Sequence, residues 1–561
     1  MRVWSKITRL CFYVLLAMIS VATYAIPARK TIVSLPLVDG NNIDAVLCGD
    51  EFLHYYTTLE GKILVKDSSG RYRLATEVEE QGMLERGNAK RQVFNEMKAK
   101  SALSQETSTM ITKAKTEEKR GLVLLVNFAD VKMQSTNSRD DYDDMFNKKG
   151  YDYNGHQGSV SDYFYDQSNG ALSLHFDVYG PYEVSKNLSY YGENSDSEAD
   201  ERVVEMVKEV INLADADVNY RLYDWDGDRE VECVYIIYAG GSEASGAPDY
   251  TIWPHNWNIW SATGKITLKD GVRISEYACS AELYDHNKDI RDCIGSVVHE
   301  FSHILGMPDF YDTLEGQSYG MQEWSIMHYG CYNGPSNYAG CVPAAYTAYE
   351  KMYLGWLTPT ELNSPCDVEG MRSIEQSDDA YIIYNDACKD EYYILQNVQK
   401  DGWNKYALGT GLLVLHVDYN QQAWYENLIN TDVDHMRLTV IPADNNYNIF
   451  YDGVGGDVYP GTSGNHALTD ESIPCASLFN PNKDNRNFMG KSIENITESD
   501  DGLISFTFMG GNGYNHISET AVDEWSGSSL ADGVSYNIYG QKLNRPERGI
   551  NIVGRKKVLI K

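Results

Sequence analysis

The stretch VVHEFSHILGMPDFYD, residues 297–312, decides how this chain is read. It sets His299, Glu300 and His303 in the spacing H-E-x-x-H, and Gly306 and Asp309 follow. The longer segment IRDCIGSVVHEFSHIL is apolar nearly all round, which predicts a buried helix. Positions i and i+4 share a helix face, so His299 and His303 present their imidazoles to one point. Glu300 lies one residue round, aside from that point but within reach of a water held there. Gly306 suits the left-handed residue that ends a helix, after which the chain can turn and bring Asp309 back. Asp312 and Glu315 lie close enough to stand as alternative third ligands. Two histidines, a carboxylate and a water make an open catalytic zinc site. Zinc there lowers the pKa of the water to about 7 and polarises a carbonyl, while Glu300 accepts the proton. The competing reading is a pair of core histidines with satisfied hydrogen bonds. The glycine and aspartate after the motif weigh against it.

The chain has 561 residues, enough for two or more folded units, and its hydrophobic content of 42% supports a large core. A net charge of −33 argues against nucleic acid and anionic membrane surfaces as partners. Arg2, Lys6 and Arg9 precede the apolar run LCFYVLLAMISVA and then TYA. Residues 1–25 therefore read as a secretory signal peptide ending at Ala25, with no later membrane span, and the product is expected to be secreted or at the cell surface. Ten cysteines in an exported chain permit disulfides. Cys331 with Cys341, flanking a short loop, is the easiest local pair, Cys366 with Cys388 a second, and free buried thiols are the alternative.

Residues 26–120 read as a pro-segment and linker: a β-rich piece, a charged helix and a polar stretch over 101–118. An apolar strand at GLVLLVNFAD then opens a catalytic domain over 121–357. Alternating strands over 358–510 suggest a β-sandwich. A linker over 511–530 and a β tail over 531–561 complete an α+β arrangement.

Met327, in EWSIMHYG, stands where metzincin proteases place a methionine turn beneath the metal. The string SIMHY resembles the turn of astacin-type enzymes, which makes Met327 the hydrophobic base and Tyr329 a candidate oxyanion stabiliser. GLVLLVNFAD, GSVSDYFYDQSNGALSLHFDVYGP, YDWDGDREVE, IWPHNW, HEFSHILGMPDFYD and YEKMYLGWL together resemble, in the same order, the immune inhibitor A family of secreted metalloproteases. The resemblance covers roughly residues 40–510. It implies a metzincin-like zinc endopeptidase acting on proteins or peptides, with a pro-segment and a β-rich C-terminal domain. Ser302 stands where glycine is common before the second histidine.

YDWDGDREVE places Asp224, Asp226, Asp228, Glu230 and Glu232 at alternate positions, a spacing that can wrap calcium. Arg229 takes the place of the glycine an EF-hand needs, and an exposed acidic turn is the alternative. His416 and Asp418 share a strand face, where a structural histidine is favoured over a second metal. His255 lies between Trp253 and Trp257 in an aromatic cluster. The basic tail YNIYGQKLNRPERGINIVGRKKVLIK resembles C-terminal sorting segments of exported bacterial proteins. A surface-binding or adhesion protein with an inactive metal site is the rival reading. Glu300 speaks against it, because a structural zinc site has no use for a carboxylate beside its ligand. Latency is expected from the pro-segment, with Lys119-Arg120 as an accessible cleavage site and Cys48 or Asp50 reaching the metal.

Overall fold

The computed structural model describes residues 24–102, 117–194, 200–286, 288–449 and 453–512, together with five short strands between 523 and 560. Almost all of the expected signal peptide and much of the expected linker lie outside the described residues.

The chain is a mixed α/β protein built around a six-stranded sheet. Its strands are β1 (Tyr24–Ala25), β2 (Glu117–Asn127), β3 (Leu172–Glu183), β4 (Val234–Tyr238), β5 (His255–Asn258) and β6 (Glu276–Ala281), in the spatial order β1-β5-β6-β4-β2-β3. Strands β6, β4, β2 and β3 are parallel neighbours, whereas β5 runs antiparallel to β6 and β1 antiparallel to β5. The continuous apolar run Leu122–Val126 in β2 is explained by burial on both faces, as parallel strands require. Leu122, Leu124 and Val126 pack with helix α1 (Val203–Leu213) on one side. Val123 and Leu125 share the opposite core with helix α2 (Ile294–Ile304), which carries the H-E-x-x-H motif.

Strand β2 begins at Glu117, earlier than the apolar pattern suggests. The polar residues before Gly121 find partners across the sheet. Lys119 pairs in register with Leu174 and sends its ammonium to the Trp225 carbonyl at 2.8 Å, and Arg120 forms an ion pair with Asp177. Lys119-Arg120 is therefore strand rather than open linker, and it is a poor protease site.

Upstream, Ile32–Pro36, Asn42–Gly49, His54–Thr58, Ile63–Lys66 and Tyr72–Leu74 form a five-stranded antiparallel meander, followed by the expected helix, Glu77–Ala102. Downstream, a five-stranded and a three-stranded sheet span residues 360–508. Val368, Met371, Leu395, Val414, Ile504 and Phe506 from the two sheets meet in one core. A further small sheet joins five strands of the tail, the first being Asp523–Glu524 inside the expected linker.

The disulfide expectation is corrected. Cys341 bonds to Cys293, the residue preceding α2, while Cys331, Cys366 and Cys388 are unpaired thiols. The reason lies in the packing of α2: a Cβ on Gly295 would lie 1.9 Å from the Cys331 carbonyl oxygen, and Gly295 N–H donates to the Gly340 carbonyl at 2.9 Å. The 331–341 loop is pressed onto the start of the helix, which brings Cys341 to Cys293 across 48 positions of sequence.

Candidate functional site

Helix α2 ends in the manner its glycine foretells. Gly306 has φ 95°, its N–H donates to the His303 carbonyl, and Met307 N–H donates to the Ser302 carbonyl. This cap also orients a side chain, because the Met307 carbonyl lies 2.7 Å from His303 Nδ1. Ile326 does the same for His299, its carbonyl 2.7 Å from Nδ1. Each Nδ1 is thereby engaged by a carbonyl acceptor, which leaves both Nε2 lone pairs directed inward. Met327 is fully buried beneath the site, in a turn held by the Ser325 hydroxyl, which accepts from Met327 N–H at 3.0 Å and donates to Glu350 at 2.6 Å.

His299 Nε2 and His303 Nε2 lie 3.2 Å apart, and Asp309 Oδ1 is 3.3 and 3.5 Å from them. A tetrahedral metal with bonds near 2.0–2.1 Å sets its ligand atoms about 3.3–3.5 Å apart. Asp309 Oδ1 is buried and accepts no hydrogen bond. Such an atom is costly in a protein interior unless a cation meets it, so the three residues fit a metal ion. The other carboxylates considered for the third position serve elsewhere. Asp312 accepts from the N–H groups of Leu314, Glu315 and Gln317, and Glu315 stands in that same turn.

Asp309 is held from the distant sheet region. Asn427 Oδ1 accepts from Asp309 N–H and Asn427 Nδ2 donates to Asp309 Oδ2, both at 2.8 Å. Ser302, in the place where glycine is common, fits by donating to the Val298 carbonyl and meeting the Tyr346 hydroxyl.

Glu300 is fully buried beside the triad. Burial pushes its carboxyl well above the usual range, and the nearby Asp309 and Glu51 carboxylates add to this. One oxygen, Oε2, accepts no hydrogen bond, while Oε1 accepts from the backbone N–H of Ile26 at 2.9 Å. The pro-segment, residues 26–120, thus reaches the site through its first residue, while the two side chains expected to reach the metal have partners of their own. Asp50 is paired with Arg91 at 2.9 Å, and the Cys48 thiol lies against Thr57. Of the pro-segment carboxylates, Glu51 raises the Glu300 carboxyl and Asp50 raises that of Asp309, and Glu51 Oε2 is a buried atom with no hydrogen bond.

Residues 26–30 run past Glu300, preceded by Tyr24 and Ala25 from the end of the expected signal peptide. Strand β1 pairs with β5, and the Trp253 indole N–H donates to the Ile26 carbonyl at 2.8 Å. Tyr332 donates to the Pro27 carbonyl at 2.7 Å. Lys30 stands 3.9 Å over the ring of Tyr329. Neighbouring His255 is a packing residue: Nε2 meets the Tyr277 hydroxyl at 2.8 Å and burial lowers its pKa to about 4.

In the acidic loop, Asp224, Asp226 and Asp228 come together, but Glu230 pairs with Arg273 and Glu232 turns inward to accept from Trp225 N–H. Arg229 adopts φ 73°, the left-handed backbone that a glycine would take more readily. His416 bonds Glu391 at 2.9 Å, while Asp418 pairs with His435 and Arg437, so the two shared-face residues have separate partners.

A buried His-His-Asp triad with an adjacent carboxylate is an arrangement that suits a metallopeptidase. Residues 107–357 match the immune inhibitor A peptidase M6 catalytic domain. The chain is 30% identical over 239 residues to the pre-pro-metalloprotease PrtV of Vibrio cholerae serotype O1, covering 37% of this chain and 25% of that protein. It is 26% identical over 269 residues to Immune inhibitor A of Bacillus thuringiensis subsp. alesti, covering 41% and 39%. The chain therefore matches less than half the length of each of these relatives.

Asn427 gives a test of the outer shell. Asn427→Ala should weaken metal binding about 10–100-fold, as loss of an orienting partner does elsewhere, and this can be measured by competition with a chromogenic chelator. Unchanged affinity would show that Asp309 orients itself.

Proposed function

We propose that the protein is a secreted zinc endopeptidase with a metzincin-like catalytic domain and a β-sandwich domain behind it. His299, His303 and Asp309 hold the metal, and Glu300 is the proton carrier. The observation that carries this is the convergence of three inward-facing ligand atoms beside a buried carboxylate. When bound there, zinc acts as a Lewis acid on a carbonyl and makes a water a stronger nucleophile at neutral pH. Glu300 takes the proton from that water and hands it to the departing amide nitrogen. Its Oε1 lies 2.9 Å from a backbone nitrogen in the cleft, the distance such a transfer requires. The burial of the site excludes bulk water and strengthens each of these electrostatic contacts. Export is supported by the basic and apolar start of the chain. Among the described residues, no helix is long and apolar enough to cross a membrane.

Glu300→Gln should retain one metal per chain and lose at least about 100-fold in peptide hydrolysis, whereas Asp309→Ala should lose the metal itself. Metal analysis beside a casein digest decides both. Wild-type rates in Glu300→Gln would sink the enzyme reading and leave the surface-binding one.

The leader is proposed to hold this enzyme silent. Residues 26–30 occupy the cleft through Ile26, Pro27, Arg29 and Lys30, while Tyr55 of the meander donates to the Glu315 carbonyl at 2.6 Å. Because Lys119-Arg120 lies in β2, the activating cut is expected upstream, within residues 103–116. A chain beginning at Ile26 should hydrolyse casein at least about ten times more slowly than one from which the leader has been cut and removed. Equal rates for the two forms would refute latency.

Calcium is proposed at Asp224, Asp226 and Asp228 alone, since Glu230 and Glu232 are engaged elsewhere. Millimolar calcium should raise the Tm of the wild type and leave Asp226→Asn unmoved. A wild-type Tm indifferent to calcium excludes the site.

A further inference from the structure

At the start of α2, apart from the triad, a second set of metal-ligating side chains comes together. His156, Cys293 and Cys341 are all buried, and a ring nitrogen of His156 and the two Sγ atoms lie within 4.8 Å of one another. They come from three parts of the chain: the turn that begins at Tyr153, the N-cap of α2 and the end of the 331–341 loop. Glycine lets these parts close on one another. Gly155 has φ 86°, and a Cβ on it would stand 3.2 Å from Pro335 of that loop.

The histidine is prepared as a ligand. Its Nδ1 lies against the Tyr153 carbonyl, an acceptor, so Nδ1 carries the proton and Nε2 the lone pair. Burial holds its pKa down at about 4, so the ring is neutral at neutral pH. The Tyr151 ring packs edge-on against it at 4.9 Å. Nε2 is buried and meets no hydrogen-bond donor. The disulfide beside it has no N–H or O–H to offer. A buried acceptor without a donor is a cost to the fold, and a cation would remove it.

We propose that His156, Cys293 and Cys341 form a second metal site, structural rather than catalytic, which takes a zinc-like divalent cation when the two cysteines are thiols. Disulfide and metal are alternative closures of one clamp between α2 and the 331–341 loop. The site stands whether or not the triad catalyses peptide hydrolysis. Zinc, with bonds of about 2.3 Å to sulfur and 2.0–2.1 Å to nitrogen, sets such ligands roughly 3.5–3.8 Å apart, within the span observed. Two thiolates and a dication sum to zero charge, which suits a buried site. The Tyr338 carbonyl, 4.0 Å from Cys293 Sγ, is at hand for a fourth position. Thiols that meet a disulfide-type oxidant first lose two electrons and two protons: their S–S bond forms, and that of the oxidant breaks to give two thiols. Thiols that meet zinc first lose only the two protons, and two metal–sulfur bonds form. Either event fixes Cys293, and with it the start of the helix that carries His299 and His303.

The test uses the chain beginning at Ile26, made once in an oxidising compartment and once in a reducing cytosol. Thiol counting by mass spectrometry identifies the disulfide and dithiol forms. Both are stripped with a chelator, checked for folding by Tm, and titrated with Co2+. The triad contains no sulfur, so a thiolate-to-cobalt charge-transfer band in the near ultraviolet reports ligation outside it. The dithiol form should bind one more cobalt per chain than the disulfide form and should alone show the band. Cys341→Ser should abolish the band. His156→Ala in the dithiol form should weaken cobalt at this site at least about 100-fold, beyond the loss of an outer-shell partner. The same variant keeps the disulfide that closes the clamp, so its oxidised form is the folding control. A dithiol form that binds no more cobalt than the disulfide form would overturn the site. So would a band undiminished in His156→Ala, or a dithiol form that is unfolded and that cobalt does not restore.

Discussion

Three lone-pair-bearing atoms, His299 Nε2, His303 Nε2 and Asp309 Oδ1, face one another at 3.2–3.5 Å in a pocket closed to solvent. Within the chain, His299 and Asn427 only partly offset the cost of burying the Asp309 carboxylate, and burial still pushes it above its usual range. An unpaired buried carboxylate carries a penalty of several kcal/mol, and Glu300 and Glu51 bring further acidic groups close by. A cation at the centre reverses the balance, and the surroundings are built to keep the ligands aimed at it. The carbonyl of Met307 orients one imidazole, that of Ile326 the other, and the Asn427 amide clasps the carboxylate. The helix cap, the turn at Met327 and the contact with the distant sheets each serve this one point.

The parts that could be read from sequence are those in which the signal is local. The i, i+4 histidines, the left-handed Gly306 and the buried β2 strand each follow from a pattern within a dozen residues. What could not be read depends on distant pairs. Asn427 lies 118 positions from Asp309, and Ile26 lies 274 from Glu300. The disulfide illustrates the same limit. Closeness in sequence favoured Cys331 for Cys341, but the close approach permitted by Gly295 brings Cys293 to Cys341 instead. Strand β2 reaches back to Glu117 for a similar reason: Asp177 and Trp225 supply partners that no local pattern reveals.

The sheet region after residue 358 is more than a separate module. Besides Asn427, its Asn430 donates to the Phe310 carbonyl at 2.8 Å, and Asp457 accepts from Tyr319 and Trp324 at 2.7–2.9 Å. These contacts bracket the segment 309–324, which carries Asp309. A loop that long has little stability of its own. Docking it against the second set of sheets is what gives Asp309 a fixed geometry, and the metal site is therefore a property of both units together.

The pro-segment meets the site through main-chain contacts, Ile26 with Glu300 and Trp253 and Pro27 with Tyr332, which carry no sequence preference. Two side chains add selectivity to these contacts. Arg29 donates to the Tyr284 carbonyl at 2.7 Å, stands 4.1 Å over that residue's ring and approaches Asp292 at 3.5 Å, while Lys30 bonds Gln322 at 2.8 Å. The larger factor is attachment. A segment joined to a folded meander that is itself docked on the enzyme competes at an effective concentration on the order of millimolar. A free peptide must reach that level to displace it. Once the connection is cut that advantage vanishes, which is how the latency proposed above would end.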